Sequence, residues 1–347
     1  MYLFHNDYNI SCHSNILQRM ALLREESMPA YGKDPHSMAA ADTIRTLCKN
    51  QDLAVHFLVG GTQTNLTVIS AALRPHQAVF CAQSGHINVH ETGAIEATGH
   101  KVVSVATPDG KLTAQQVEAQ VLTQLNDNDA EHCVQIKLVY ISLPTELGTV
   151  YSLTELIELS KVCRKYGLLL FADGARLSYA LSADENDITL ADLARLCDVF
   201  YIGGTKCGAM FGEAVVISNP AIAEDFRYLI KQHGGMLAKG WLTGLQFEVL
   251  FENDLYFSLA AHANKLAGQL RDTLSALGYS FLIPGKTNQV FPILPNALLE
   301  KLDQEFTFLL QKRIDDHFSA VRFCTSWATT QESVDALCAA LRTLSDN

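Results

Sequence analysis

The sequence predicts an α/β fold: a mostly parallel seven-stranded sheet flanked by helices, followed by a smaller α+β C-terminal domain. Three observations carry this expectation. Short apolar runs at 53–59, 78–82, 101–106, 137–143, 168–172, 198–202 and 214–217 alternate with helical stretches such as 153–166. Some of these runs, Leu168-Leu169-Leu170-Phe171-Ala172 among them, are apolar throughout, as strands buried on both faces are. After about residue 219 the character changes to a helix-favouring region, 221–274, interrupted at Gly234-Gly235. Short strand candidates at 279–283, 289–294 and 320–324 and helices at 297–302 and 332–344 follow. The expected division is a large domain over 1–240 and a small one over 241–347, with the N-terminal segment able to pack on the small domain.

Composition narrows the function classes. A chain of 347 residues with 48% hydrophobic and 18% charged residues can bury a full α/β core plus an appended domain. The formal charge of −11 argues against a nucleic-acid or anionic-membrane surface, because both need a basic patch. The nine cysteines are scattered without a CxxC pair, as reduced thiols of a cytoplasmic enzyme would be. No signal peptide is expected, and no apolar run approaches the ~20 residues of a membrane span.

Along the chain, 14–24 reads as an amphipathic helix, with Ile16, Leu17, Met20, Leu22 and Leu23 as its apolar set. A turn-rich loop, Pro29-Ala30-Tyr31-Gly32-Lys33-Asp34-Pro35, precedes a helix over 38–48 for which Ser37 is the expected N-cap. The first strand ends in Gly60-Gly61-Thr62 and opens a helix, an arrangement that suits a phosphate or simply a tight turn. After the second strand comes Ser84-Gly85-His86-Ile87-Asn88-Val89-His90-Glu91. Its histidines could share a helix face for a metal, but the order is not HExxH and no third ligand is evident, so none is expected. His86, just past a strand end, could instead lie flat on a cofactor ring. Glu146, in the loop after 137–143, is either a solvated side chain or an acid–base group. The run 214–217 follows Ile202 too closely for a helical crossover and is expected to pair antiparallel, as a hairpin or edge. Arg322 is a charge within an apolar strand; facing inward it would require a carboxylate partner such as that of an amino acid.

Two further strand ends carry the chemistry. Val199-Phe200-Tyr201-Ile202 leads through Gly203-Gly204-Thr205 to Lys206, and 168–172 ends in Asp173-Gly174-Ala175-Arg176. A lysine set against a buried strand loses charge readily and can then act as a nucleophilic amine. The alternative is a lysine that snorkels to solvent at a strand end. Carboxylate and amine at neighbouring strand C-termini share the crevice where open α/β sheets bind ligands. They are the two protein groups that pyridoxal 5'-phosphate requires, one for its ring nitrogen and one for its carbonyl.

With these motifs the chain resembles the threonine aldolase/β-eliminating lyase family, pyridoxal phosphate enzymes of the aspartate aminotransferase-like fold (fold type I). The resemblance rests on Tyr31-Gly32-x-Asp34, Phe171-Ala172-Asp173-Gly174-Ala175-Arg176 and Gly203-Gly204-Thr205-Lys206-x-Gly208-Ala209. Thr145-Glu146-Leu147-Gly148-Thr149 and Val321-Arg322-Phe323-Cys324-Thr325-Ser326-Trp327 look closest to the low-specificity threonine aldolase branch. It implies Lys206 as the Schiff-base lysine, Asp173 on the pyridine nitrogen and Arg176 near the phenolic oxygen. It further implies His86 on the ring, and Gly61 and Thr62, with Thr205, on the cofactor. Arg322 would receive the substrate carboxylate, with Asn6 a further candidate. Tyr31 would reach a neighbouring subunit's site in a homodimer or homotetramer, and Lys239 could contribute in the same way. Asn6-Asp7-Tyr8 stands where many members have Ser-Asp-Thr or Ser-Asp-Asn. The implied reaction is retro-aldol cleavage of a β-hydroxy-α-amino acid to glycine and an aldehyde, with His86, Glu146 or a water as base. The alternatives are β-elimination on another amino acid and cofactor binding without catalysis.

Overall fold

The computed structural model describes residues 1–345. Thirteen strands are formed in them: β1 (Tyr2–Leu3), β2 (Ala54–Leu58), β3 (Gln77–Ala82), β4 (Val102–Val105), β5 (Gln135–Ser142), β6 (Leu169–Asp173), β7 (Val199–Gly203), β8 (Glu213–Ile217), β9 (Gln289–Val290), β10 (Ile293–Pro295), β11 (Phe306–Thr307), β12 (Leu309–Arg313) and β13 (Phe318–Cys324). The central sheet has the order β2-β8-β7-β6-β5-β3-β4. Its strands run parallel except β8, which is antiparallel to both neighbours. The expected antiparallel pairing of 214–217 therefore holds, but β8 is not an edge: β2 closes over its outer side.

Side chains alternate between two cores. Val139, Ile141, Leu170, Ala172, Phe200 and Ile202 pack on one face, under the helices Leu153–Lys165 and Leu190–Leu196. Leu138, Tyr140, Phe171, Val199 and Tyr201 face the other way, toward the helix Gly61–Ala72. Both faces are dry, which is why the sequence shows continuous apolar runs instead of alternation.

The helix Leu255–Ala276 ties the two parts of the molecule together. Tyr256, Ala260 and Ala263 belong to the core of the large sheet, whereas Leu266, Leu270 and Leu274 lie in that of the small one. In the small sheet β13 is central, flanked by β10, β12 and β9. The expected strand at 279–283 forms only an isolated bridge, Phe281 to Pro292, because the chain turns back through Pro284-Gly285. The expected strand at 289–294 breaks into β9 and β10 around Phe291-Pro292, as proline cannot continue the ladder. β12, Leu-Leu-Gln-Lys-Arg, is an exposed edge with no apolar alternation to betray it. Ser37 is not the N-cap of its helix: Asp34 caps Pro35–Leu47, its Oδ1 accepting the Ser37 N–H at 2.8 Å, with Pro35 in the first turn. Among the described residues no helix is long and apolar enough to cross a membrane.

The N-terminal segment lies on the small sheet. β1 pairs parallel with β11, and the Cys324 N–H donates to the Phe4 carbonyl at 2.7 Å. Phe4 is fully buried against Phe306 and Phe323. This anchor carries the chain on to Asp7. Phe4→Ala should cost about 3–5 kcal/mol, as a buried aromatic truncation does; chemical denaturation of the two proteins measures it, and a loss under about 1 kcal/mol would show that the segment is not held by this side chain.

Candidate active site

The site forms where β6 and β7 end side by side. The Gly203 N–H donates to the Gly174 carbonyl at 2.9 Å, and a Cβ on Gly174 would fall 1.8 Å from the Tyr201 carbonyl oxygen. Only glycine allows the turns after the two strands to touch. Asp173 is thereby fixed beside the turn that presents Lys206.

Asp173 is 4% exposed and accepts four hydrogen bonds. Tyr201 Oη and the Ala175 N–H donate to Oδ1 at 2.5 and 2.9 Å; Tyr140 Oη and Asn65 Nδ2 donate to Oδ2 at 2.5 and 3.0 Å. Burial opposes its ionisation, but His86, the two tyrosines and the amide outweigh it and lower its pKa. A carboxylate kept charged in a dry place is what a protonated ring nitrogen needs.

Lys206 follows β7 in a turn, half-buried, its Nζ 6.0 Å from the centre of the Tyr8 ring. Desolvation, then Arg176, push its amine below the ordinary value, while Asp7, Asp173 and Glu213 pull the other way. Arg176 is locked by a bidentate pair with Asp7, Nε to Oδ2 at 2.7 Å and Nη2 to Oδ1 at 2.9 Å. Asn288 Nδ2 adds a third bond to Asp7. Burial alone would raise Asp7; Arg176 and Lys206 reverse this and hold it at about 2.

His86 opens a short helical turn after β3. Its Nδ1 lies 2.7 Å from Glu91 Oε1, which also accepts from Asn65 Nδ2 at 2.7 Å. Asn65 thus bridges Glu91 and Asp173. Glu146 Oε1 accepts from the His86 N–H at 2.8 Å and from Ser142 Oγ at 2.6 Å. Desolvation raises the Glu146 carboxyl pKa against the Ser142 bond, so it is a half-buried, bonded acid and not a solvated one. His90 is exposed with its ring 5.6 Å from that of His86; partial desolvation, then His86, Arg322, Arg176 and Lys206, disfavour its cation. Among the described residues no group of three or more His, Cys, Asp or Glu is arranged to hold a metal ion.

Arg322 projects from β13 opposite the core residues Val321 and Phe323, half-buried. Nη2 donates to the His5 carbonyl at 2.9 Å and Nη1 to Gln289 Oε1 at 3.2 Å, while the buried Nε has no partner and no carboxylate pairs with it among the described residues. Gly61 begins its helix after Gly60 with no side-chain cap, leaving first-turn N–H groups open beside Thr62. A Cβ on Gly61 would come within 3.2 Å of Tyr201 Oη, the hydroxyl on Asp173. An uncapped helix end, an ionised buried carboxylate and a depressed amine, all within one crevice, fit a phosphorylated pyridine aldehyde.

Three sequence candidates sit differently from the rest. Asn6 turns back on its own segment, its Oδ1 accepting the Tyr8 N–H at 3.0 Å. The Thr205 hydroxyl points inward to Glu213 Oε1 at 2.8 Å. Tyr31, 43% exposed with φ +63°, is held by Ala238, Arg227 and Lys231, none of which belongs to the cluster around Lys206. Sequence reasoning gave no role to Asp7, Asn65, Glu91, Tyr140, Tyr201 or Glu213. Strand alternation puts Tyr140 and Ser142 on one side of β5, and Ser142 is in register with Asp173, so Tyr140 was within reach of a pattern argument. Asn65 and Glu91 had no such signal.

A β-eliminating lyase family model matches residues 13–296. A low specificity L-threonine aldolase of Pseudomonas sp. is 32% identical over 90% of this chain and 89% of its own length. Its Pseudomonas aeruginosa counterpart is 31% identical with the same coverage. The solved structure of a Leishmania major threonine aldolase superposes with a TM-score of 0.97 at 48% identity, over 99% of this chain and 100% of that one. A Thermus thermophilus aspartate aminotransferase variant, 16% identical, shares the fold at a TM-score of 0.73 over 99% and 91% of the two chains.

The Asp7–Arg176 pair sets an acid limit. A carboxyl whose folded value lies below its unfolded one stabilises the fold above about pH 4, and loses that contribution as pH falls toward about 2. The contribution is roughly 2 kcal/mol. Asp7→Asn should shrink this acid-side loss and cost about 3–5 kcal/mol at neutral pH by stranding Arg176. Urea unfolding across that pH range checks both; an unchanged acid-side slope would remove the pair from this role.

Proposed function

The chain belongs to the β-eliminating lyase family, and on that premise we propose that it cleaves L-threonine and L-allo-threonine to glycine and acetaldehyde with pyridoxal phosphate. The observation that carries the reading is the placement of Asp173 and Lys206 at the ends of neighbouring strands, together with Arg322, a cation with no carboxylate partner among the described residues. When bound, the cofactor supplies a carbonyl for amines and a ring that accepts the electron pair of the breaking Cα–Cβ bond.

The protein's part is charge and position. Asp173, kept ionised by its donors, holds the proton on the ring nitrogen. Lys206 Nζ, poor in charge for a lysine, is the attaching amine. The open N–H groups at Gly61 and Thr62 receive the phosphate. Arg176, with Nε and Nη2 fixed by Asp7, would hold the ring oxygen of the cofactor. Arg322 takes the substrate carboxylate through its free valences, which orients the bond to be broken.

His86 is the base. Glu91 accepts from Nδ1, so Nε2 is the nitrogen open to the β-hydroxyl proton, and Glu91 stabilises the imidazolium that results. Glu146 holds the backbone at His86 in place. A homodimer or larger assembly, with Tyr31 and Lys239 turned toward a neighbour's site, accounts for the exposed Tyr8, Tyr31, Met38, Val89, Met210 and Tyr228. Nine free cysteines suit the cytoplasm.

Incubated with pyridoxal phosphate and each threonine isomer, the protein should release glycine and acetaldehyde in equal amounts. Ammonia with a 2-oxo acid in their place would mark an eliminase, and no product from any β-hydroxy amino acid would sink the catalytic reading. Arg322→Ala should weaken substrate binding roughly 10- to 100-fold, the worth of a charge-assisted bond. The increase should appear chiefly in KM; an unchanged KM would place the substrate carboxylate elsewhere.

A further inference from the structure

A buried acid beneath the site has no part in the scheme above. Glu213 opens β8 and lies in register with Gly203 on one side and Leu58 on the other. It is 3% exposed, on a strand whose other residues, Ala214 to Ile217, are apolar and buried. Its Oε1 accepts the Thr205 hydroxyl at 2.8 Å and its Oε2 the Gly204 N–H at 3.2 Å. Thr205 Oγ1 in turn accepts the Gly212 N–H at 3.0 Å. One carboxyl group therefore holds both residues that precede Lys206. An isolated carboxylate here would be costly, and Glu213 forms no direct ion pair among the described residues. The cation whose field reaches it is Lys206.

We propose that Glu213 is a positioning residue for Lys206: it clamps the turn and carries the compensating charge, ionised while Nζ is an ammonium and protonated when Nζ is the free amine. One proton leaves Nζ, one is taken up at the Glu213 carboxyl, and the pair stays neutral overall. The inference rests on Lys206 as the reactive amine.

The surrounding charges single out this acid. Lys206 faces Asp7, Asp173, Glu213 and Arg176; Glu213 faces Lys206, Asp173, Tyr201 and Tyr256. Asp7 is committed to Arg176, and Asp173 to its four donors. Of the three carboxyls, Glu213 alone bonds directly to Gly204 and Thr205, the two residues that precede Lys206. Burial pushes it up to about 8 against the Thr205 bond and Lys206, and the same burial lowers Lys206. Groups that ordinarily titrate about six units apart are brought toward one range.

Trace acetylation of the cofactor-free protein with acetic anhydride, with the Lys206 peptide followed by mass spectrometry across pH, reads the charge on Nζ directly. In the wild type the Lys206 curve should be broad, spanning two steps of the coupled pair. In Glu213→Gln it should narrow to one step at lower pH, with roughly threefold faster acetylation one unit below the wild-type midpoint. Thr205→Val, which keeps the acid but removes one donor to it, should move the midpoint in the same direction by a smaller amount. A Glu213→Gln curve that superimposes on the wild type overturns the proposal, as does a Thr205→Val shift of equal size. Glu213→Leu serves the same comparison if the amide variant does not fold. Cofactor attachment at another lysine would remove the functional reading yet leave this titration unaffected, so the two failures are distinguishable.

Discussion

The close contact between Gly174 and Gly203 is the constraint on which the site depends. Strands β6 and β7 are neighbours in a parallel sheet, and parallel strands end at the same edge. Neighbouring ends do not by themselves bring side chains together, since turns carrying Cβ atoms would splay. With hydrogen in place of a side chain at both positions, one turn's carbonyl accepts the other's N–H at 2.9 Å. Asp173 and Lys206 then inherit their relative placement from the sheet itself, a more precise support than a loop.

Around that contact the protein manages an unusual density of buried charge. Asp7, Glu91, Glu146, Asp173 and Glu213 all approach the crevice, against Arg176, Lys206, Arg322 and the two histidines. Each acid has its own compensation: a guanidinium for Asp7, an imidazole for Glu91, two tyrosines and an amide for Asp173. Arg322 is a cation whose hydrogen-bond partners, the His5 carbonyl and Gln289, are neutral. Its charge is one that an anionic carboxylate would complement.

Much of this was legible in the sequence. Seven apolar runs gave seven central strands to within about two residues, because a sheet buried on both faces leaves no other reading for Leu-Leu-Leu-Phe-Ala. Lys206, Asp173 and Arg176 were visible because each is a charge at the end of such a run. The small sheet was harder: β12 is a fully exposed edge, and β9 and β10 are too short to show a period. The residues that sequence reasoning passed over act through others. Asn65, on the helix Gly61–Ala72, and Glu91, in the bend after His90, touch the site through hydrogen bonds between segments distant in sequence, and Glu213 looks like any residue opening a strand. Asp7 was in plain view beside Asn6, but only the folding of the N-terminus over the small sheet brings it to Arg176.

The account's central claim is that Lys206 is the amine that meets the cofactor. Loading the protein with pyridoxal phosphate, reducing it with borohydride and mapping the modified peptide by mass spectrometry tests this most directly. The account requires one phosphopyridoxyl group, on Lys206, and its absence from Lys206→Ala. A label on another lysine, or none after saturation with the cofactor, would contradict it.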